Sequence, residues 1–206
     1  MLRCAVLTRV NPPAVFSTEL RLALAPASTY RELTARKATG SWLVAFERPA
    51  FTALLIGALV AIASTGRVAL GLVSSLTVCW SFVPALQMVA GAIVIASSRS
   101  RSSPMPRALA LLFAGHVPWS LWTLVAAAWV ASVPFVTEGQ LGLSLLVPAA
   151  WTAYIVFAFC RTVLGVTARG AALRTAAHQA IVWTIAGTYV FLTTGMWPRL
   201  LGALGR

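Results

Sequence analysis

Two side chains in the apolar part of this sequence could do chemistry inside a membrane, Gln87 and His116. A strongly polar group set among apolar residues is costly to bury in lipid, so it marks a pathway, relay or binding site by default. A neutral histidine can hydrogen-bond between helices, titrate near neutral pH, or ligate a metal or haem. His116 lies in Gly115-His116-Val117-Pro118-Trp119-Ser120-Leu121-Trp122, and the one other histidine is His178. His178 reads as facing lipid headgroups at the start of a later helix. If the two histidines shared a depth they could hold a haem, whereas an interhelical hydrogen bond by His116 requires no cofactor. Cys4, Cys79 and Cys160 are widely spaced with no C-x-x-C pair, which argues against a zinc site or a disulfide framework. Glu138 is the single acid beyond residue 47, so no intramembrane carboxylate pair exists. G-x-S-x-G, H-E-x-x-H and Gly-rich phosphate motifs are missing too. The expectation is therefore no catalytic residue, no metal and no cofactor.

Gln87 shares a helical stripe with Trp80, Pro84 and Gly91, and Gly115, Trp119, Trp122, Ala126 and Trp129 form a second. Stripes of small and aromatic residues in membrane helices are usually packing seams. Trp80, Gln87, Gly91, Trp119, Trp122 and Trp129 are accordingly candidates for packing against another membrane protein or a second copy. Pro84, Pro118 and Pro148 can each kink a helix, freeing a carbonyl to meet Gln87, Ser120 or a ligand. Trp42, Trp129, Trp151 and Trp197 read as interfacial anchors.

The elements that carry these residues follow from composition. Of 206 residues 59% are apolar and 10% charged, against about 45–50% and about 25% in an average soluble domain. Mean hydropathy is +0.86. Four acids and sixteen bases cannot supply a soluble surface for this length. The net charge of +12 does not indicate a nucleic-acid partner, because the bases are scattered between apolar runs instead of sharing one face. A bilayer core of roughly 30 Å takes about 20 helical residues. Uninterrupted apolar runs fall at 50–65, 78–96, 108–130, 143–160 and 176–197. The expected fold is an all-α polytopic membrane protein with about five transmembrane helices, four or six being the margin. Residues 66–77 read as an interfacial turn or a continuation of either neighbour.

Residues 1–48 differ from the rest and hold seven bases with Glu19, Glu32 and Glu47. They read as a cytoplasmic, interfacial segment of two short amphipathic helices lying on the membrane surface, or else as a partly disordered tail. Asn11-Pro12-Pro13 is a break, Ser17 an N-cap, Thr29-x-x-Glu32 a capping box and Gly40 a stop. Residues 49–198 form the transmembrane domain and 199–206 an external tail. Arg31, Arg36, Lys37, Arg48, Arg99, Arg101, Arg107, Arg161, Arg169 and Arg174 are expected to meet anionic headgroups of the bilayer. Thirteen bases fall before span one and in the loops after spans two and four, against three elsewhere. By the positive-inside rule the N-terminus is cytoplasmic and, with five spans, the C-terminus external. Fifteen arginines to one lysine suggest a GC-rich coding sequence and hence a bacterial inner membrane.

Leu24-Ala25-Pro26-Ala27-Ser28-Thr29-Tyr30-Arg31, followed by Trp42 and by Pro49 at the head of the first span, resembles the opening of bacterial Yip-domain membrane proteins. In that family an aP-x-x-tf segment precedes the first of five spans, and the plan of cytoplasmic N-terminus and external C-terminus is similar. The resemblance covers roughly residues 22–197 and brings no catalytic residues. The D-L-Y-G-P signature of the eukaryotic members is absent, so their roles in vesicle traffic and small-GTPase recruitment are not carried over. The resemblance implies a membrane-organising or accessory protein. The leading expectation is thus an integral membrane scaffold or accessory subunit that packs against other membrane proteins or itself. The alternatives are a small transporter or channel using Gln87 and His116, and a haem- or quinone-contacting subunit of a redox complex. The charge pattern makes a direct prediction: a C-terminal alkaline phosphatase fusion is active in a bacterial host and a green fluorescent protein fusion dark. The reverse pair of signals overturns the orientation.

Overall fold

The structure, a computed structural model, describes residues 12–36, 40–98, 103–133 and 135–193. Among these every regular element is a helix: α1 (Pro12–Leu24), α2 (Pro26–Ala35), α3 (Trp42–Thr65), α4 (Leu70–Trp80), α5 (Phe82–Ala96), α6 (Met105–Ala114), α7 (Val117–Ser132), α8 (Glu138–Ser144), α9 (Leu146–Thr162) and α10 (Ala168–Thr193). Four stretches are long and apolar enough to cross a membrane, namely Trp42–Thr65, Leu70–Ala96, Met105–Ser132 and Gly139–Thr162. Helix α10 has the length, at 26 residues, but Arg169, Arg174, His178 and Gln179 in its first half reduce its apolarity. The first four expected spans coincide with these four stretches while starting or ending several residues away, and the fifth, expected at 176–197, runs beyond the described residues. Residues 66–69 form the turn after α3, where Gly66 takes a left-handed φ of 65° and returns its N–H to the Ile62 carbonyl. That conformation suits glycine. From Leu70 the chain belongs to the second stretch. Trp197, Arg199, Arg206 and the expected external tail lie outside the described residues, as do Lys37, Arg99 and Arg101.

Helix α3 begins eight residues before its expected start, so the division expected at residue 48 falls inside it. Ser41 supplies the cap, its Oγ accepting from the Val44 N–H at 3.3 Å. Pro49 removes one backbone bond without ending the helix, a loss that membrane helices tolerate when neighbours cover the freed carbonyl. Ala45, Pro49, Ala53, Gly57 and Ala61 are buried at every fourth position, which draws a small-residue stripe down one face. Along it α3 packs on α4, α6 and α7. The approach is closest at Gly57, where an added Cβ would fall 2.6 Å from the Thr77 backbone nitrogen.

The N-terminal helices pack against the bundle, α2 on α9 and α1 on α2, α7 and α9. Prolines open both, as suits a first turn whose N–H groups are unpaired anyway, so α1 starts at Pro12 and not at Ser17. Thr29 therefore sits inside α2, where its hydroxyl donates to the Ala25 carbonyl at 2.9 Å. The expected capping box does not form, and Glu32 instead binds Arg21 and Arg36. These two arginines, Arg21 foremost, hold the Glu32 carboxyl below its ordinary pKa. Leu22 and Tyr30 are completely buried, and Trp151 in the middle of α9 donates to the Ala23 carbonyl at 2.8 Å. The α1–α2 hairpin thus reaches along α9 to about half the length of the fourth apolar stretch. Leu22, Ala23 and Tyr30 are buried by the bundle while Leu20 and Leu24 stay exposed, and of the hairpin's acids Glu32 pairs with Arg21 and Arg36 and Glu19 with Arg48 of α3. A T-x-x-Q capping box does occur elsewhere, at Thr137 and Gln140 ahead of α8.

Three of the apolar stretches are interrupted in the same way. Ser81, Gly115 and Leu145 each stand three residues before a proline, Pro84, Pro118 or Pro148. At each the N–H bonds three residues back instead of four: Ser81 to Val78, Gly115 to Leu112, Leu145 to Gly142. A proline lacks the N–H and crowds the carbonyl four residues earlier, so the turn before it tightens.

Glycine positions separate packing from flexibility. Gly57→Ala is expected to destabilise by about 1–3 kcal/mol through overpacking. Gly71→Ala, on the same α3–α4 pair but with nothing within 4 Å of its Cβ position, is expected to gain about 0.5–1 kcal/mol in helix propensity. Paired thermal melts in one detergent check the contrast.

Candidate functional site

The break between α6 and α7 creates the site. Pro118 has no N–H for the Ala114 carbonyl, and the Gly115 and His116 amides shift to Leu112 (3.0 Å) and Phe113 (3.0 Å). The Leu111 carbonyl is thereby left without a helical donor, as the last carbonyls of any helix are. The Tyr30 hydroxyl donates to it from α2 at 3.3 Å. Burial pushes the Tyr30 phenol well above the usual tyrosine pKa, so the O–H remains a donor. Arg48 Nη1 of α3 donates to the Ala110 carbonyl at 3.4 Å while its Nε pairs with Glu19 at 3.1 Å. Gly115 permits the approach, since a Cβ there would fall 2.5 Å from Ile155 Cγ2 and 2.6 Å from the Tyr30 oxygen.

The tight turn also fixes His116. Its Nδ1 lies 3.0 Å from the Leu112 carbonyl, which can only accept, so in the neutral ring Nδ1 carries the proton and Nε2 the bare lone pair. The ring is 4% exposed and stacks on Phe113 at 4.8 Å, and Nε2 is buried with no partner. His116 lines a cavity of about 40 Å³ with Thr52 of α3, Gln87 of α5, and Trp119, Ser120 and Thr123 of α7, closed by Leu55, Ile56 and Val83. The sequence-predicted pair Gln87 and His116 therefore share one chamber. A volume of this order holds one to a few waters, since about 10–15 Å³ admits one. It is roughly a tenth or less of the ~300–1,000 Å³ of ordinary small-molecule sites.

His178 is not at a headgroup surface. Helix α10 starts at Ala168, earlier than the apolar run suggested, and His178 enters the bundle on its third turn at 2% exposure. Its ring centroid lies 6.3 Å from that of His116, and neither of its nitrogens has a partner. Among the described residues no third histidine, cysteine or acid joins the two as a metal ligand.

The expected packing residues are engaged within the chain. Gly91 faces Leu112, whose Cδ2 lies 2.4 Å from the glycine's Cβ position. Trp122 donates to Ser144 at 3.0 Å, and Trp119 lies 5.8 Å from Trp183 of α10. Trp80 stacks on Phe82 at 6.1 Å, and Trp129 is half-buried. Of the expected headgroup arginines, Arg107 donates to the Leu33 carbonyl at 2.9 Å and to that of Arg36. Arg174 reaches the Ser97 carbonyl at 2.8 Å, Arg161 that of Val166 at 2.8 Å and Arg31 that of Ala27 at 3.3 Å. Arg36 is exposed beside Glu32, and Arg169 is exposed.

Tyr30 and His178 were the members sequence reasoning placed elsewhere, and Thr52 and Thr123 were not singled out. Gly115 three residues before Pro118 was the available signal for a break needing outside donors; nothing near Tyr30 announces its partner. Compared with known proteins, the chain matches no family model, no curated protein and no solved structure. Loss of the carbonyl cap makes a graded prediction. Tyr30→Phe is expected to cost about 0.5–1.5 kcal/mol, and Gly115→Ala about 1–3 kcal/mol by overpacking, both read as lowered detergent melting temperature.

Proposed function

We propose that this chain is a polytopic protein of a bacterial inner membrane that conducts or carries a proton-sized species through a site at Gln87 and His116. Five spans, α10 included, fit the positive-inside count, with the N-terminus cytoplasmic and the C-terminus external. The observation that carries the reading is the water-sized cavity inside the bundle, lined by Gln87, His116, Ser120 and Thr123. Each unsatisfied buried polar atom costs about 1–3 kcal/mol, and His116 and His178 together carry three. A chain that only filled space could replace them with apolar residues. An Nε2 acceptor, an amide and hydroxyls within one chamber are the groups that hold a short water file, and a neutral imidazole with a bare Nε2 can accept a hydrogen bond or a proton from it. The chamber is too small for an organic solute. The reading invokes no covalent chemistry.

The scaffold or accessory-subunit reading ranks second. Gly91, Trp119 and Trp122 make their contacts within the bundle, so a partner would have to meet other surfaces, such as the lipid-facing side of α4, where Leu70 and Val78 are exposed. Proteoliposomes loaded with a pH-sensitive dye and given a potassium diffusion potential test the choice. Wild-type protein should acidify or alkalinise the lumen faster than empty vesicles. His116→Ala and Gln87→Leu should abolish the excess rate with melting temperature held. No excess rate in wild type, or full rate in both variants, would falsify the conduction reading.

A further inference from the structure

A second concavity lies outside the bundle core, where α2 meets the end of α9. It is a groove of about 360 Å³ lined by Ala27, Arg31, Tyr154, Phe157, Ala158, Arg161 and Thr162. We propose that it seats one anionic phospholipid, the phosphate between Arg31 and Arg161 and an acyl chain along Tyr154 and Phe157. The groove is graded along its length. Arg161 and Thr162 stand at the last turn of the fourth membrane-crossing stretch, and Tyr154 lies seven residues further in, about 10 Å along the helix. Charge is thus at the membrane boundary and apolar wall at the depth of the acyl chains, the polarity of a phospholipid.

The two guanidiniums are anchored without being used up. Arg31 donates through Nε to Ala27 and Arg161 through Nη1 to Val166, whereas a guanidinium offers five N–H donors in a fork that matches phosphate. Arg31 and Arg161 are both exposed. Glu32, the acid next to Arg31, turns to Arg21 and Arg36 and does not line the groove. The hydrocarbon side is equally open, with Tyr154 at 55% exposure beside the buried Ala158. Basic pockets between membrane helices on the cytoplasmic side are where anionic headgroups bind. A free phosphate would satisfy the arginines alone and leave the apolar wall unused.

Native mass spectrometry of the detergent-purified chain, titrated with phosphatidylglycerol or phosphatidylcholine of the same acyl length, tests the site. Wild type should retain one phosphatidylglycerol at least tenfold better than phosphatidylcholine. Arg31→Gln should reduce that retention at least tenfold, and so should Ala27→Phe, which fills the groove and keeps both arginines. Arg169→Gln, a charge outside the groove, should leave it unchanged, and millimolar inorganic phosphate should not compete. Equal retention of the two lipids, retention surviving in both groove variants, or displacement by inorganic phosphate each overturns the proposal. Melting temperatures of the lipid-free variants separate loss of the site from loss of the fold.

Discussion

The interaction on which the rest of the structure depends is the hydrogen bond from Tyr30 to the Leu111 carbonyl. In a bilayer no water reaches a carbonyl that loses its helical donor, so each one must be answered from within the protein. Pro118 and the tight turn at Gly115 and His116 take the helical donors from the Ala114 and Leu111 carbonyls, and Tyr30 of α2 answers Leu111, while Arg48 of α3 and the His116 ring add further bonds to Ala110 and Leu112. This is why the N-terminal hairpin is folded into the bundle. The hairpin carries the phenol that closes the break, and Phe159 of α9 holds that phenol edge-on at 5.6 Å.

The cavity is a consequence of the same turn. Bonding to Leu112 occupies Nδ1 of His116 and leaves Nε2 unanswered. Small residues then set how close the surrounding helices come. Gly57 brings α4 against α3, Gly91 lets Leu112 enter α5, and Gly115 admits both Tyr30 and Ile155. Where α3, α5 and α7 meet at larger side chains, Thr52, Gln87 and Trp119, the fit is imperfect and a polar void of about 40 Å³ persists. A broken helix, its cap and its cavity are therefore one construction; moving any one of the three disturbs the others.

Much of this was legible in the residues and some was not, for physical reasons. Apolar runs located the membrane-crossing stretches because lipid leaves few other options for a run of that length. Gln87 and His116 stood out because polar groups are rare there, and both line the cavity. The prolines announced the breaks, although not that each falls three residues upstream. Helix starts were misjudged wherever a charged residue looked like an end: α3 runs through Glu47, Arg48 and Pro49, and α10 holds Arg169 and Arg174 before His178. Arginines can sit inside a helix when carbonyls or acids from other elements meet them, and that information is tertiary. Thr29-x-x-Glu32 matched a capping box, but Pro26 had already started the helix one turn earlier. The four-residue spacing of Ala45, Pro49, Ala53, Gly57 and Ala61 is visible in the sequence as one small-residue face.

The arginines link insertion to folding. The positive-inside count treats them as charges that stay on one side, yet several also serve as donors between elements. Arg107, at the start of the third stretch, closes on the carbonyls of Leu33 and Arg36, and Arg174 closes on Ser97 at the end of the second. Gly40 packs against Arg107 as well. These contacts join residues of the basic segments, so arginines counted by the positive-inside rule also tie helix ends together. Both bonds to Leu33 and Arg36 leave a single nitrogen, Nη2 of Arg107, whose two N–H groups point along directions that the planar guanidinium fixes. A lysine ammonium also carries enough donors for two carbonyls, but its flexible stem would have to be held in place to aim them.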